Sequence, residues 1–298
     1  MVTAMPQIPT DIVERLKKRA EEVEDALKNA LLPKSDETAI ARLQEAMDYA
    51  LTGGGKRMRP FLLIETAALL GAEDNAMDAG VALEMIHAYS LVHDDLPAMD
   101  DADTRRGKPS VHKQYDEAIA VLVGDALLTE AFTVLAQYEG ALAGDLVREL
   151  AKASGMVGMV GGQMMDIYPE GQTEEHITSL QAKKTGALIE CAVTMGCLIG
   201  GADDAETDAL RTYARKLGLA FQIADDLLDV TQSAEEIGKP AGRDEEMGKV
   251  TFVNLLGIDG AREKLAAVNA EAAAALASVG RDTSVLENLL EWQASRTN

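Results

Sequence analysis

Between Leu91 and Arg106 the sequence reads LVHDDLPAMDDADTRR. An apolar, helix-like run enters from Val81 and then delivers Asp94, Asp95, Asp100, Asp101 and Asp103 within ten residues, with Arg105 and Arg106 directly after. Carboxylates this dense repel one another unless cations sit between them. Arginines this close suggest that an anion accompanies the cation. A phosphate group carrying Mg²⁺ has both properties. The competing interpretation is a solvated acidic turn in an acidic chain.

The rest of the chain limits what can surround that stretch. Its 298 residues suffice for one large core or two domains, and no linker divides them, so a single domain over 1–298 is expected. Aromatics are only 4% while Ala, Leu, Val and Met abound, which favours helices over sheets. The successive helical runs predict an all-α fold. Apolar residues recur at spacings of three and four in Asp11–Leu32, closed by Pro33. Further helices are predicted over Glu37–Leu51, Phe61–Leu70, Ala76–Asp94, Asp116–Tyr138, Asp145–Gly162, Thr173–Leu198, Asp204–Val230, Arg262–Ala277 and Ser284–Ala294. Gly155, Gly158, Gly161 and Gly162 suggest close helix contact, and Thr173 with His176 opens a capping-box-like start. No run alternates as a strand would.

The net charge of −22 argues against nucleic acid or an anionic membrane surface as partner. An anion site must therefore be built locally. The basic residues cluster at Lys56–Arg59, Arg105–Lys108, Lys183-Lys184 and Lys239–Lys249. Cys191 and Cys197 are six apart on roughly opposing helix faces, so a disulfide between them is not expected. There is no signal-like start, and no run of about 18 apolar residues suggests a membrane span. A cytoplasmic protein is expected.

Two further stretches carry chemistry. Gly53–Pro60 reads GGGKRMRP, where glycines let backbone approach a ligand and Lys56, Arg57 and Arg59 supply positive charge. It lacks the spacing of a Walker A loop, and a helix C-cap with snorkelling basic residues is the alternative. Phe221–Val230 reads FQIADDLLDV. Asp225 and Asp229 lie four apart, so on a helix both carboxylates point to one side, while Asp226 turns about 100° away into a different role. Asp94 and Asp100 are six apart and would diverge by about 240° on an unbroken helix. Pro97 biases Leu96 away from the helical region. The helix is thus predicted to end near Asp95, with Asp100 swinging back from a loop to face the ion that Asp94 faces. Two such clusters, about 130 residues apart, suggest a funnel with carboxylates on two walls around a diphosphate. Neither has EF-hand spacing. His93-Asp94 is the HD dipeptide of some phosphohydrolases, but the distant partners these need are lacking.

These motifs closely resemble those of the trans-isoprenyl diphosphate synthases: DDLPAMD at Asp94–Asp100, DDLLD at Asp225–Asp229, GGKRMRP at Gly54–Pro60, HAYSLVHDD at His87–Asp95, RRGKP at Arg105–Pro109, KKTG at Lys183–Gly186 and FQIADD at Phe221–Asp226. Their order and separations agree from about residue 40 to 257. The resemblance implies an isoprenoid synthase-type helical bundle around a deep central cavity, usually a homodimer. It assigns Lys56, Arg59, His87 and Arg106 to the diphosphate of isopentenyl diphosphate. Arg105, Lys184, Thr185, Gln222, Lys239 and Lys249 match contacts to the allylic diphosphate. Asp94, Asp100 and Asp225 match Mg²⁺ ligands, with Asp229 helping through water and three ions per loaded site. Ala102 departs from a common aspartate, Pro240 stands where Thr is frequent, and the C-terminus Ser295–Asn298 lacks the final lysine of some relatives.

The implied reaction is ionisation of an allylic diphosphate (dimethylallyl or geranyl), attack by the isopentenyl double bond and loss of a proton. The catalytic roles fall to Asp94, Asp100, Arg105, Lys184, Asp225 and Lys239. Tyr89 lies five residues before Asp94, roughly 7.5 Å deeper along the helix, where a tyrosine forms the floor of a hydrocarbon pocket; small Ser90 leaves room near its mouth. The wording resembles the bacterial farnesyl diphosphate synthases, which implies a C15 product, with C20 the alternative and a core tyrosine the bland interpretation of Tyr89. A non-catalytic partner subunit is disfavoured by the two intact aspartate motifs. A terpene cyclase is disfavoured by Lys56, Arg59 and Arg106.

Overall fold

A computed structural model describes residues 10–31, 35–171, 173–231 and 251–295. Helices dominate: α1 (Thr10–Ala30), α2 (Thr38–Leu51), α3 (Met58–Leu69), α4 (Met77–Asp94), α5 (Val111–Gln114), α6 (Glu117–Leu135), α7 (Gly140–Ser154), α8 (Met159–Ile167), α9 (Glu174–Gln181), α10 (Ala187–Gly200), α11 (Asp204–Thr231), α12 (Phe252–Ala277, kinked at Gly257) and α13 (Ser284–Ser295). The all-α expectation holds, and Pro33 lies outside the described residues.

Besides the unpredicted short α5 and an α12 that begins at Phe252 rather than near Arg262, three local features depart from the sequence-based expectation. First, Thr104–Arg105 (β1) and Lys108–Pro109 (β2) form an antiparallel ribbon pairing Thr104 with Pro109 and Arg105 with Lys108. Two-residue strands are too short to show alternation, which is why pattern alone could not find them. Arg106 and Gly107 make the turn, with φ of 52° and 77°, the positive pair that a two-residue hairpin requires. Second, the helix expected over Asp145–Gly162 stops at Ser154 and restarts at Met159. Third, the helix expected over Thr173–Leu198 contains a π-helical turn, Ala182–Gly186, between α9 and α10. Its start is as expected, since the Thr173 hydroxyl accepts from the His176 backbone N–H at 3.2 Å.

The described chain divides into two compact units. One is built from Val13–Leu150 with Met195–Gly201. Here α4 packs along α6, α3 and α2, and it is apolar nearly all round because nearly every side is covered, from Ala79 to Ala88. Its core includes Leu62, Leu63, Leu83, Ile86, Leu127 and Ala131. α1 is tied on by charge: Arg15 and Arg19 both donate to buried Glu65 of α3, at 2.9 and 3.0 Å through their Nε atoms. The other unit carries α8, α9, the first half of α10 and α11 to α13. Its core joins Ile177, Ala220, Ile223, Leu227, Phe252 and Leu265, and the buried Tyr213 hydroxyl donates to the Leu286 carbonyl at 3.1 Å. Cys191 and Cys197 are buried and not joined in a disulfide, as the helix spacing suggested.

One helix bears on the expectation that no segment spans a membrane. Among the described residues, α6 is long and apolar enough to cross a membrane by length and composition, with mean hydropathy 1.9. It also packs along α4 and α2, which a core helix of the same composition does.

Candidate active site

The end of α4 behaves as Pro97 dictates. The helix closes at Asp94 with Asp95 at its C-cap, and the chain then curls back. The Asp100 N–H donates to the Asp94 carbonyl at 2.9 Å, Asp101 N–H to Leu96, and Ala102 N–H to Asp95, each of the latter at 3.1 Å. Asp101 adopts a φ of 45°, the conformation that turns the chain. The backbone thus brings Asp100 beside Asp94, as the proline spacing predicted. Asp100 is exposed and Asp94 half-buried; among the described residues no three carboxylates, histidines or cysteines are grouped to hold a metal, so the loop offers at most a wet, two-carboxylate set. Mg²⁺ suits such a set, since it keeps waters and takes one or two carboxylates plus phosphate oxygens.

The remaining aspartates of the stretch have other tasks. Asp95 is buried and grips Arg105, whose Nε lies 3.1 Å from each carboxylate oxygen and whose Nη2 lies 2.5 Å from Oδ1. A bidentate fork of this kind fixes the guanidinium as well as neutralising it. Asp103 pairs with Lys113 at 2.9 Å, close to Asp101. Arg106, the neighbour of Arg105, turns away and donates to the Gly54 carbonyl. The two arginines therefore leave the hairpin in different directions.

The GGGKRMRP loop divides its basic residues between structure and site. Arg57, expected to offer its charge to an anion, is instead buried, with a φ of 47° at the start of α3. It ion-pairs with Glu84 of α4 at 2.6 Å, and the two side chains are 2% and 3% exposed. Removing one partner from such a pair costs about 3–5 kcal/mol, because the other charge stays buried. Lys56 is exposed and Arg59 half-buried. Arg59 feels Glu84 and Arg106, and burial pulls its guanidinium below the usual range. Gly55, at φ 129°, leaves room for Arg106: a Cβ there would stand 2.7 Å from the guanidinium carbon.

Some of these residues border one cleft, with about 500 Å³ of empty space including its mouth: Tyr49, Gly53, Glu84, His87, Arg105 and Arg106 are among its lining, whereas Lys56, Arg59, Asp94 and Asp100 are not. His87 and Arg106, both expected at the isopentenyl site, meet here. Burial, then Arg59 and Arg106, hold the His87 imidazole well below its ordinary range, so it is neutral and offers one N–H. Two residues on along α4, buried Tyr89 meets the His93 ring edge-to-face at 5.9 Å. The Ser90 hydroxyl donates to the His87 carbonyl at 2.8 Å.

The other unit holds the second acidic motif. On α11, Gln222, Asp225 and Asp229 are half-buried along one face, while Ile223, Ala224, Leu227 and Leu228 are buried. Asp226, assigned a separate role by its rotation, accepts the Phe252 backbone N–H at 2.7 Å and so satisfies the first amide of α12. Lys184 and Thr185 sit in the π turn, a geometry often found at functional sites. Lys184 ion-pairs with Asp166 of α8, a partner sequence reading missed because only packing brings α8 to the turn. That approach depends on Gly162: a Cβ there would stand 2.2 Å from the Lys184 backbone nitrogen. Lys239, Lys249 and Pro240 lie outside the described residues, as do the last three residues of the chain.

The pattern of the polyprenyl synthetase family matches residues 40–287. A chloroplastic geranylgeranyl pyrophosphate synthase of Catharanthus roseus is 44% identical over 267 residues, covering 87% of this chain and 74% of that one. A farnesyl diphosphate synthase of Geobacillus stearothermophilus is also 44% identical, over 264 residues, covering 86% and 89%. Among solved structures, an FPP/GFPP synthase of Zymomonas mobilis superposes with a TM-score of 0.84 at 38% identity, covering 94% of this chain and 98% of that one. A geranyltransferase of Helicobacter pylori, solved with magnesium and isoprenyl diphosphate, gives 0.78 at 32% identity and covers 97% of each.

Proposed function

The chain belongs to the polyprenyl synthetase family and is a short-chain trans-prenyl diphosphate synthase, a transferase, and from that premise we propose that it makes the C15 product, farnesyl diphosphate, from isopentenyl diphosphate and dimethylallyl or geranyl diphosphate. Tyr89 carries this reading: a buried ring, braced on His93, one and a half turns below Asp94. A ring so placed stops the growing hydrocarbon. The second reading is a C20 product, favoured by the identity with the plant geranylgeranyl pyrophosphate synthase.

Asp94, Asp100 and Asp225 are the Mg²⁺ ligands in this reading, with Asp229 acting through water. The magnesium-bound relative supports the choice of metal. Bound Mg²⁺ supplies charge neutralisation on the allylic diphosphate. The protein's own groups do the rest. Lys56, Arg59, His87 and Arg106 bind the diphosphate of isopentenyl diphosphate. Arg105, Lys184, Thr185 and Gln222, with Lys239 and Lys249, bind the allylic diphosphate and stabilise the charge that grows as its C–O bond breaks. The isopentenyl double bond attacks the allylic carbon, and the departing diphosphate takes the proton lost from C2. No nucleophilic serine or cysteine is needed. Positioning of two substrates supplies much of the rate.

We read the whole chain as one cytoplasmic polyprenyl synthetase domain acting as a homodimer, with the family pattern running through both compact units. The exposed apolar residues Val121 and Leu122 of α6 support a partner-covered face there. The test of function is to incubate the enzyme with Mg²⁺, isopentenyl diphosphate and dimethylallyl diphosphate and to extract the alcohols after dephosphorylation. Farnesol is expected, with longer products from Tyr89→Ala. A dominant C20 alcohol from the unaltered enzyme refutes the C15 assignment.

A further inference from the structure

The ribbon that bears Arg105 and Arg106 cannot hold itself in place. Two residues per strand is far below what stands alone in water, and all of Arg106–Pro109 is exposed. Its base is closed by the Ser110 N–H donating to the Asp103 carbonyl at 3.0 Å. Its first strand is held by Asp95 through Arg105, and its turn by the Gly54 carbonyl through Arg106. The second strand is held by Tyr49, on the last turn of α2.

Tyr49 reaches that strand in two ways, and a third contact braces its ring. Its hydroxyl donates to the Pro109 carbonyl at 2.7 Å. The Lys108 ammonium lies 5.9 Å from the centre of its ring. Tyr115, just past α5, meets the ring edge-on at 5.8 Å and 82°. Burial pushes the hydroxyl above its ordinary range, so it remains a donor throughout the neutral pH region. Four residues on from Tyr49, α2 runs into the Gly53–Gly55 loop that leads to Lys56 and Arg59. Tyr49 thus ties the arginine ribbon to the end of the helix that leads into the glycine loop, the two sides of the cleft.

We propose that Tyr49 is a positioning residue for the acceptor site, setting the separation between the Lys56–Arg59 loop and the Arg106 turn so that both can grip the diphosphate of isopentenyl diphosphate. This rests on the function proposed above. Arg105 has a second anchor in Asp95, so the allylic side depends less on Tyr49 than the Arg106 turn does.

Steady-state kinetics of Tyr49→Phe, varying each substrate in turn, tests the assignment. The substitution keeps the ring under Lys108 and against Tyr115 and deletes one hydrogen bond. The KM for isopentenyl diphosphate should rise roughly five- to ten-fold, the worth of one such bond. The KM for geranyl diphosphate and kcat should stay within about two-fold. Equal rises in both KM values, a fall in kcat alone, or no change would each overturn the proposal while leaving the enzyme a prenyltransferase. Tyr49→Ala should raise the same KM further, and an unchanged value there would also overturn it. An unaltered enzyme that forms no elongated product would remove the functional reading itself and this inference with it.

Discussion

His87 shows how one residue's surroundings set its chemistry. Burial comes first, then the arginine charges of Arg59 and Arg106, and all lower its pKa. The unfolded chain takes up a proton as pH falls through about 6.5, while the folded imidazole stays neutral. Its share of stability is therefore complete above that pH and is lost as pH falls toward the folded value. Thermal melts between about pH 7 and 5 should show a steeper loss for the wild type than for His87→Gln, which cannot take up that proton. At the acidic motifs the expected effect is on turnover. Asp94→Ala or Asp225→Ala should lower kcat by about 10²-fold or more, with helical circular dichroism retained. Near-normal turnover in either would sink the metal assignment. The sequence marked Asp225 and Asp229 as sharing one side of a helix, and α11 places them so, because spacing alone decides that. It misassigned Arg57, because nothing in GGGKRMRP says that Glu84, on another helix, awaits it.

Among the elements, the π turn at Ala182–Gly186 is where local pattern and packing part company. KKTG has no signal that a helix should widen there, and the apolar spacing runs straight through. The widening goes with the near-contact of α8, whose Gly162 lies against the backbone of Lys183 and Lys184. Gly162→Ala would place a methyl group where backbone already stands. Denaturant unfolding should show a loss of about 1–3 kcal/mol, the usual cost of overpacking. If the pairing of Lys184 with Asp166 depends on that seating, the KM for the allylic substrate should rise as well. An unchanged unfolding midpoint would mean that the turn relaxes freely. The hairpin and the break between α7 and α8 escaped sequence reading for related reasons: one is too short for periodicity, and the other interrupts a run whose composition stays helical.

For the whole molecule, α6 poses the sharpest question. It is the most continuously apolar of the long helices, yet Leu122 remains 53% exposed and Val121 42%. A second copy of the chain is the proposed cover. Sedimentation velocity should find the wild type as a dimer and Leu122→Arg largely as a monomer, since an unpaired charge placed in an apolar interface strongly disfavours burial. A monomeric wild type would dismiss α6 as a dimer face. What the sequence determined by itself was the helical class, the ends of most helices and the two acidic motifs, because helical periodicity, proline and capping act over a few residues. What only the tertiary structure decided was which charges are spent on one another: Arg57 on Glu84, Arg105 on Asp95, Lys184 on Asp166 and Asp226 on the first amide of α12. Buried charge and unpaired backbone amides are too costly to leave alone, and their partners come from elements that only folding brings together.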